Sequence, residues 1–338
     1  MRPNRHTSPP TLEMVGAHAG VSRATVSRVV NGSPKVSPQI AAAVRAAISE
    51  LGYVPNRAAR SLASKQSHAI ALVVPEDMAH FFGDLYFASI VVGINDRLQD
   101  SDYVLNLMVA SEERYGKTMR YLQGGNVDGA FVVSHHTSDR FLDALTDVIP
   151  VVFGGRPADR ITGGYVVDVD NVAGGRLAGE HLLSIGRRRI AHIAGPATMP
   201  AGIDRERGFR SALEDAGVEP GPSVEGDFTS PGGANAMRAI LAQDPDIDAV
   251  FVASDLMASG AMTVLREAGV DVPGDVAIVG YDDSEAATAS VVPLTTVRQP
   301  SEAMGAAMVD ILLGVLRGEE DHPRLTILPT ELIVRSSA

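Results

Sequence analysis

The sequence predicts a small all-α head of helix-turn-helix type joined to a larger α/β body of two doubly wound parallel-sheet lobes. Three observations point there. Residues 11–65 are punctuated as short helices, whereas from about Ala69 onward short β-branched runs alternate with helical stretches. The charge splits at the same place: residues 1–65 hold nine basic and two acidic side chains, the remainder 20 basic and 39 acidic. A length of 338 residues exceeds one ordinary domain and leaves room for a head and two lobes.

In the head, Thr11 is a plausible cap before Leu12, Val15 and Ala19, which share one helical face, and Gly20 breaks the segment. Ser22 opens a second helix, Arg23 to about Val30, whose Val26, Val29 and Val30 face inward. Ser37 and Pro38 start a third helix, with Ile40, Val44, Ala47, Ile48 and Leu51 on one stripe and Gly52 as its stop. In the body, the runs AIALVVP, YVLNLMV, GAFVVS, VVFGG, YVVDV, RIAHIAG, AVFVAS and VAIVGYDD suit strands buried on both faces.

A basic head on an acidic body is the asymmetry expected when the head alone meets phosphate. In a helix-turn-helix the second helix enters the major groove, and with its valines buried Arg23, Ala24, Ser27, Arg28 and Asn31 point outward. Arginine forks onto guanine O6 and N7, and alanine can touch a thymine methyl, so Arg23 and Arg28 are the expected specificity residues. Thr11, Ser22, Thr25 and Ser37, at helix starts, can bond phosphates or simply cap.

The composition excludes several chemistries. The absence of Cys removes disulfides, thiol catalysis and thiolate zinc sites. The sequence shows no run of 18 apolar residues and no signal-like N-terminus, so a soluble, cytoplasmic protein without membrane association is expected. Asp168, Asp170, Asp282 and Asp283 could be read as carboxylate pairs, yet acids at strand ends serve binding equally well. His135 and His136 are adjacent, which in a strand would turn them to opposite faces, a poor metal pair. Neither a nucleophile elbow nor a phosphate-cradling loop occurs, so no enzyme and no cofactor is expected.

The stretch TLEMVGAHAGVSRATVSRVVNGSPKVSPQIAAAVRAAISELGYVPNRAARSLASKQ resembles the DNA-binding head and hinge of the lactose-repressor and galactose-repressor family, through AGVS-x-x-TVSRVVN and ELGY-x-PN-x-x-AR-x-L. The resemblance implies a head over 1–56, a hinge over 57–67 and a sensor over 68–338. It adds Tyr53, Asn56 and Arg57 as DNA-side residues and makes Leu62 an apolar wedge in the minor groove. Two departures are Met14 and Gly16, where the family usually has an acidic residue and an alanine. Glycine within a helix costs about 1 kcal/mol relative to alanine, so a less stable first helix is expected.

The resemblance continues through DN-x-x-GG-x-LA-x-HL, R-x-x-GF, ASDLMASGAM, VPGDVAIVGYDD and PLTTVRQP. It implies a body shaped like periplasmic sugar-binding transport proteins: lobe one about 68–168 and 300–327, lobe two about 169–299 and 328–338. A small effector, commonly a carbohydrate, would lie between the lobes. Arg205 and Asp282 match effector-bonding positions, Phe228 a ring that covers the ligand, and Ser254 and Gln299 polar lining; Phe81, Phe82 and His135 are further candidates. After the strand IPVVF the family often has an acidic then a basic residue, but here stand Gly154, Gly155 and Arg156, which leaves a larger ligand or another hydroxyl pattern open, with a glucoside or disaccharide preferred. The implied assembly is a homodimer on double-stranded palindromic operator DNA, repressing carbohydrate genes under allosteric control. A transport component with the same two-lobed fold, or a sugar-processing enzyme, are the competing readings.

Overall fold

The computed structural model describes residues 10–30, 33–54, 66–109, 115–158, 163–319 and 321–338. It divides into two compact units, 1–67 and 68–338, taken separately below. Asn31, Asn56, Arg57 and Leu62 lie outside the described residues.

The head holds α1 (Leu12–Ala19), α2 (Arg23–Val30) and α3 (Pro38–Leu51). Each boundary has a local cause. Thr11 accepts from Met14 N and Ser37 from Ile40 N, Pro38 occupies the first turn of α3, and Gly20 and Gly52 close α1 and α3 in the left-handed conformation. Val15, Val26, Val44, Ala47 and Tyr53 form the core, with one valine from each helix fully buried.

The body is two six-stranded sheets. Lobe one contains β1 (Ala69–Val74), α4 (Met78–Gly83), α5 (Leu85–Leu98), β2 (Val104–Val109), α6 (Tyr115–Gln123), β3 (Gly129–Val133), α7 (Phe141–Leu145), β4 (Val151–Gly154) and β5 (Tyr165–Val169). Lobe two follows with α8 (Asn171–Ser184), β6 (Ile190–Ala194), α9 (Pro200–Asp215), β7 (Ser223–Glu225), α10 (Ser230–Gln243), β8 (Ala249–Val252), α11 (Asp255–Glu267), β9 (Ala277–Asp282), α12 (Glu285–Ala289) and β10 (Thr295–Arg298). The chain then returns to lobe one for α13 (Ser301–Leu316) and β11 (Leu325–Leu328), and ends in lobe two with β12 (Glu331–Ile333).

Strand order is β11-β5-β4-β3-β1-β2 in lobe one and β12-β10-β9-β8-β6-β7 in lobe two. Every pairing is parallel except β10 with β12. The central strands β1, β3, β4 and β8 are buried along their whole length, because helices cover both faces of each sheet. Three crossings join the lobes, after β5, after β10 and after β11. In such sheets ligands bind at the carboxyl ends of the strands, and here those ends face a cleft between the lobes.

Candidate functional site

The cleft holds about 700 Å3 of free space, part of it continuous with solvent. The segments after β1, β3 and β4 supply His80, Asp84, His135, Gly155 and Arg156, and the end of β5 supplies Asp168, all from lobe one; Asn171, Met199, Arg205, Phe228, Ser254 and Asp282 come from lobe two. Gln299 lines it from the second crossing. A parallel sheet places all its strand-to-helix connections at one end, which is how residues more than 200 positions apart in sequence meet here.

Arg205 organises the lobe-two wall. Its guanidinium lies 3.7 Å from the Tyr281 ring centroid and 5.8 Å from that of Phe228. Nε donates to Asn171 Oδ1 at 3.0 Å, Nη1 donates to Ala253 O at 2.6 Å, and Nη1 stands 3.6 Å from Asp282 Oδ1. Gln299 Nε2 donates to the same Asp282 oxygen at 2.6 Å. Burial drives the Asp282 carboxyl well above the usual carboxylate range, although Arg205 opposes the rise. Behind it, buried Asp255 accepts from Thr296 Oγ1 at 2.6 Å and from Ser284 N at 2.8 Å, which pins the loop after β9. Desolvation pushes Asp255 up to about 7.

Backbone strain gathers at the same place. Ser134, Phe228 and Asp282, all in the cleft wall, have positive φ of 55°, 59° and 117°. L-residues adopt this region only where surrounding structure over-determines it, as at ligand clamps.

The lobes also touch directly. Arg156 Nη2 donates to Asp204 Oδ2 at 2.8 Å, His136 Nδ1 meets Thr198 Oγ1 at 2.8 Å, and Thr137 N donates to Thr198 O at 2.8 Å. His136 belongs to a cluster in which Glu76 bonds His80 at 3.1 Å, His136 at 3.2 Å and Ser134 at 2.7 Å. Burial alone would raise Glu76, but these hydrogen bonds outweigh it and hold the carboxyl at about 2. Both histidines are raised, chiefly by their bonds to Glu76.

Arg205, Phe228, Ser254, Asp282, Gln299 and His135 are thus brought together. Ser254 also caps α11, accepting from Met257 N. Phe81 and Phe82 are not: Phe81 packs in the lobe-one core and Phe82 is 70% exposed, because Asp77 caps a helix there and turns His80 to the cleft instead. His135 and His136 follow β3 rather than lying in it, so strand alternation does not separate them; His135 Nε2 meets Arg156 O at 3.0 Å, while His136 turns to Glu76 and Thr198. Asp84, Tyr86, Arg156, Asp168, Asn171 and Met199 line the cleft without having been singled out as effector residues.

In the head, Arg23, Ala24 and Arg28 are exposed on α2, while Thr25 and Ser27 are half-buried. Glu13 of α1 approaches Arg23 Nε at 3.2 Å. The side-chain oxygens of Thr11, Ser22 and Ser37 accept from backbone N–H groups, and a hydroxyl so engaged can still donate to phosphate. Tyr53, expected on the DNA side, is 8% exposed and packs in the head core. Gly16 proves less a weakness than a fit, since a Cβ there would lie 2.8 Å from Val21 O in the turn.

Among the described residues no cluster of His, Cys, Asp and Glu could hold a metal, and no helix is long and apolar enough to cross a membrane.

Residues 11–56 match the family described as bacterial regulatory proteins, lacI family, and residues 180–338 the periplasmic binding protein-like domain. The chain is 45% identical over 339 residues to the HTH-type transcriptional regulator CelR of Thermobifida fusca, covering 97% of this chain and 98% of that protein. The solved complex of the transcriptional regulator CelR with cellobiose superposes with a TM-score of 0.76 at 44% identity, covering 97% of this chain and all of that one. The lac repressor dimer bound to operator and the anti-inducer ONPF gives 0.86 at 29% identity over 98% and 99% of the two chains.

Proposed function

Since the chain belongs to the lacI family of bacterial regulatory proteins, we propose that it is a cytoplasmic transcriptional repressor of carbohydrate genes, with a β-linked glucose disaccharide such as cellobiose as its effector. It binds a palindromic operator as a homodimer, because a two-fold protein demands two-fold DNA. Arg23, Ala24 and Arg28 read bases, and Thr11, Ser22 and Ser37 meet phosphates. Asn31, Asn56, Arg57 and Leu62 complete that surface in this reading.

The observation that carries the effector half is the cleft, where Arg205, Asp282, Gln299 and the Phe228 ring from one side face Asp168, His135 and Asp84 from the other. The flat ring suits the C–H faces of a pyranose, and the carboxylates and amide suit its hydroxyls. A ligand touching both lobes favours their closed arrangement, and that preference is all that coupling to the DNA-binding head requires. The similarity to CelR, solved with cellobiose, supports this choice of ligand class.

The test is selection of randomised duplexes on the purified protein, repeated with cellobiose and a panel of other sugars. An enriched palindrome whose retention changes with cellobiose is the expected result. Enrichment of no palindrome at moderate salt would remove the DNA-binding half of the proposal. A palindrome indifferent to every sugar would remove the effector half.

A further inference from the structure

We propose that Asp168 is the carboxylate with which lobe one grips the effector, and that it makes the cleft selective for uncharged, hydroxyl-rich ligands over anionic ones. The inference rests on the sugar-effector reading above and narrows it.

The end of β4 cannot supply an acid. Gly155 has a φ of 96°, where any side chain is strained, and a Cβ on Gly154 would stand 2.8 Å from Val133 Cγ1 and 3.0 Å from Met308 Sδ. The neighbouring strand compensates. β5 pairs with β4 in parallel, Gly155 N donates to Val167 O at 2.8 Å, and the next residue along β5 is Asp168.

Its carboxylate is 7% exposed and firmly held. Oδ2 accepts from Arg156 N at 3.0 Å; Oδ1 accepts from Val169 N at 2.8 Å and Asn171 Nδ2 at 3.2 Å. His135 Nε2 meets the carbonyl of Arg156 at 3.0 Å, so that residue's backbone is clamped from both sides. A carboxylate offers about four lone-pair sites. Three protein donors leave room for a hydroxyl from the ligand.

The charge balance sets the selectivity. Asp84, Asp168 and Asp282 all line the cleft. The Arg156 guanidinium is held by Asp204, and the His80 ring by Glu76, which His136 shares. Among the described lining residues Arg205 is the cation left to serve three carboxylates, with His80 also acting on Asp84, and burial disfavours the ionised form of each. Hydroxyl hydrogens relieve that excess of acceptors, whereas a ligand carboxylate or phosphate adds to it.

The experiment is calorimetric titration of the full chain and its Asp168→Asn variant with paired ligands: glucose and cellobiose, each beside its aldonic acid and its 6-phosphate. Wild type should prefer the neutral member of each pair that binds. Asp168→Asn should weaken the neutral sugar about tenfold or more, as loss of a hydrogen bond to a charged group does. It should also shrink the neutral-to-anion ratio. Thermal unfolding without sugar monitors the fold, and a purely structural role would lower both affinities equally and leave the ratio unchanged. Unchanged cellobiose affinity in Asp168→Asn, or wild type binding an anionic member as tightly as its neutral partner, overturns the inference alone. The wild-type comparison stands even if the variant fails to fold. Should no sugar of either kind bind, the effector reading and this inference fall together.

Discussion

Arg156, in the turn after β4, reaches across the cleft to Asp204 on α9 at 2.8 Å, and Asp204 also stands 3.1 Å from Arg207. The contact closes one side of the cleft over whatever lies inside. Arg156 is partly exposed, so solvent screens the pair and its worth is modest. We expect Arg156→Gln to weaken effector binding about two- to fivefold, in line with exposed ion pairs. Calorimetry checks the affinity. Unchanged binding would mean that the lobes close without this contact.

Arg205 has a much larger role. It is 5% exposed, bonded to Asn171 and Ala253 O, and stacked on Tyr281. Arg205→Ala removes effector binding and leaves Asp282 buried beside no cation. The loss of the Arg205 hydrogen bonds to Asn171 and Ala253 O, each worth about 1.5–3 kcal/mol for a charged donor, destabilises the lobe-two wall. The unfolding midpoint of the sensor should fall by several degrees, read by calorimetry without ligand.

The cluster of Glu76, His80 and His136 makes the sensor sensitive to pH. Both histidines have folded values above their unfolded value of 6.5, so their contribution is complete below that pH and is lost as pH rises through the folded values. Glu76, held at about 2 against an ordinary 4.5, contributes above pH 4.5 and loses that only towards 2. Asp84, Asp77 and Asp139 nearby add to the histidine shifts. The contribution of this cluster to stability should therefore be greatest between pH 4.5 and 6.5 and decline above. Glu76→Gln should flatten that slope in a melting series from pH 5 to 9.

Gly16→Ala offers a test in the head. Helix propensity alone promises a gain of about 1 kcal/mol. The Cβ would meet Val21 O at 2.8 Å, a backbone atom fixed by the Val21 N to Gly16 O bond of the turn. The expected outcome is no gain in head stability, together with weaker operator binding because the turn that sets α2 must shift. Amide exchange in residues 12–30 of the full chain measures the first, and operator titration the second.

For DNA reading, Arg28→Ala should cost about 1–3 kcal/mol of operator affinity and relax preference at one base position. Arg23→Ala should cost less, because Glu13 competes for its guanidinium in the free protein. Glu13→Ala removes that competition and a negative charge near phosphate, so it should strengthen binding to any duplex. Titrations at several salt concentrations separate these outcomes.

The head was legible because its signals are local. Thr11, Gly20, Ser37, Pro38 and Gly52 act within a few residues of themselves, and each fixes a boundary of α1 or α3. Continuous apolar runs likewise foretold eight strands, β1 to β6, β8 and β9, but not the short β7, β10, β11 and β12. The cleft was only partly legible. Arg205, Asp282 and Phe228 stood in recognisable motifs, whereas Asp84 and Tyr86 lie at an unremarkable helix start and Asp168 near the end of an ordinary strand. Phe81 and Phe82 were misplaced because successive helical residues point about 100° apart, and only the docking of α4 decides that His80, rather than either Phe, faces the cleft.

By itself the sequence determined the head helices, the central body strands and their order, the charged division between head and body, and the fold class that follows from them, since backbone conformation and hydrophobic patterning are set by near neighbours. The tertiary structure decided which carboxylates share Arg205, that Asp168 stands where Gly154 and Gly155 leave no acid, and that Arg156 spans the cleft to Asp204. Those relations depend on strand register and on three chain crossings between the lobes, and they join residues whose separation along the chain carries no trace of their distance in space.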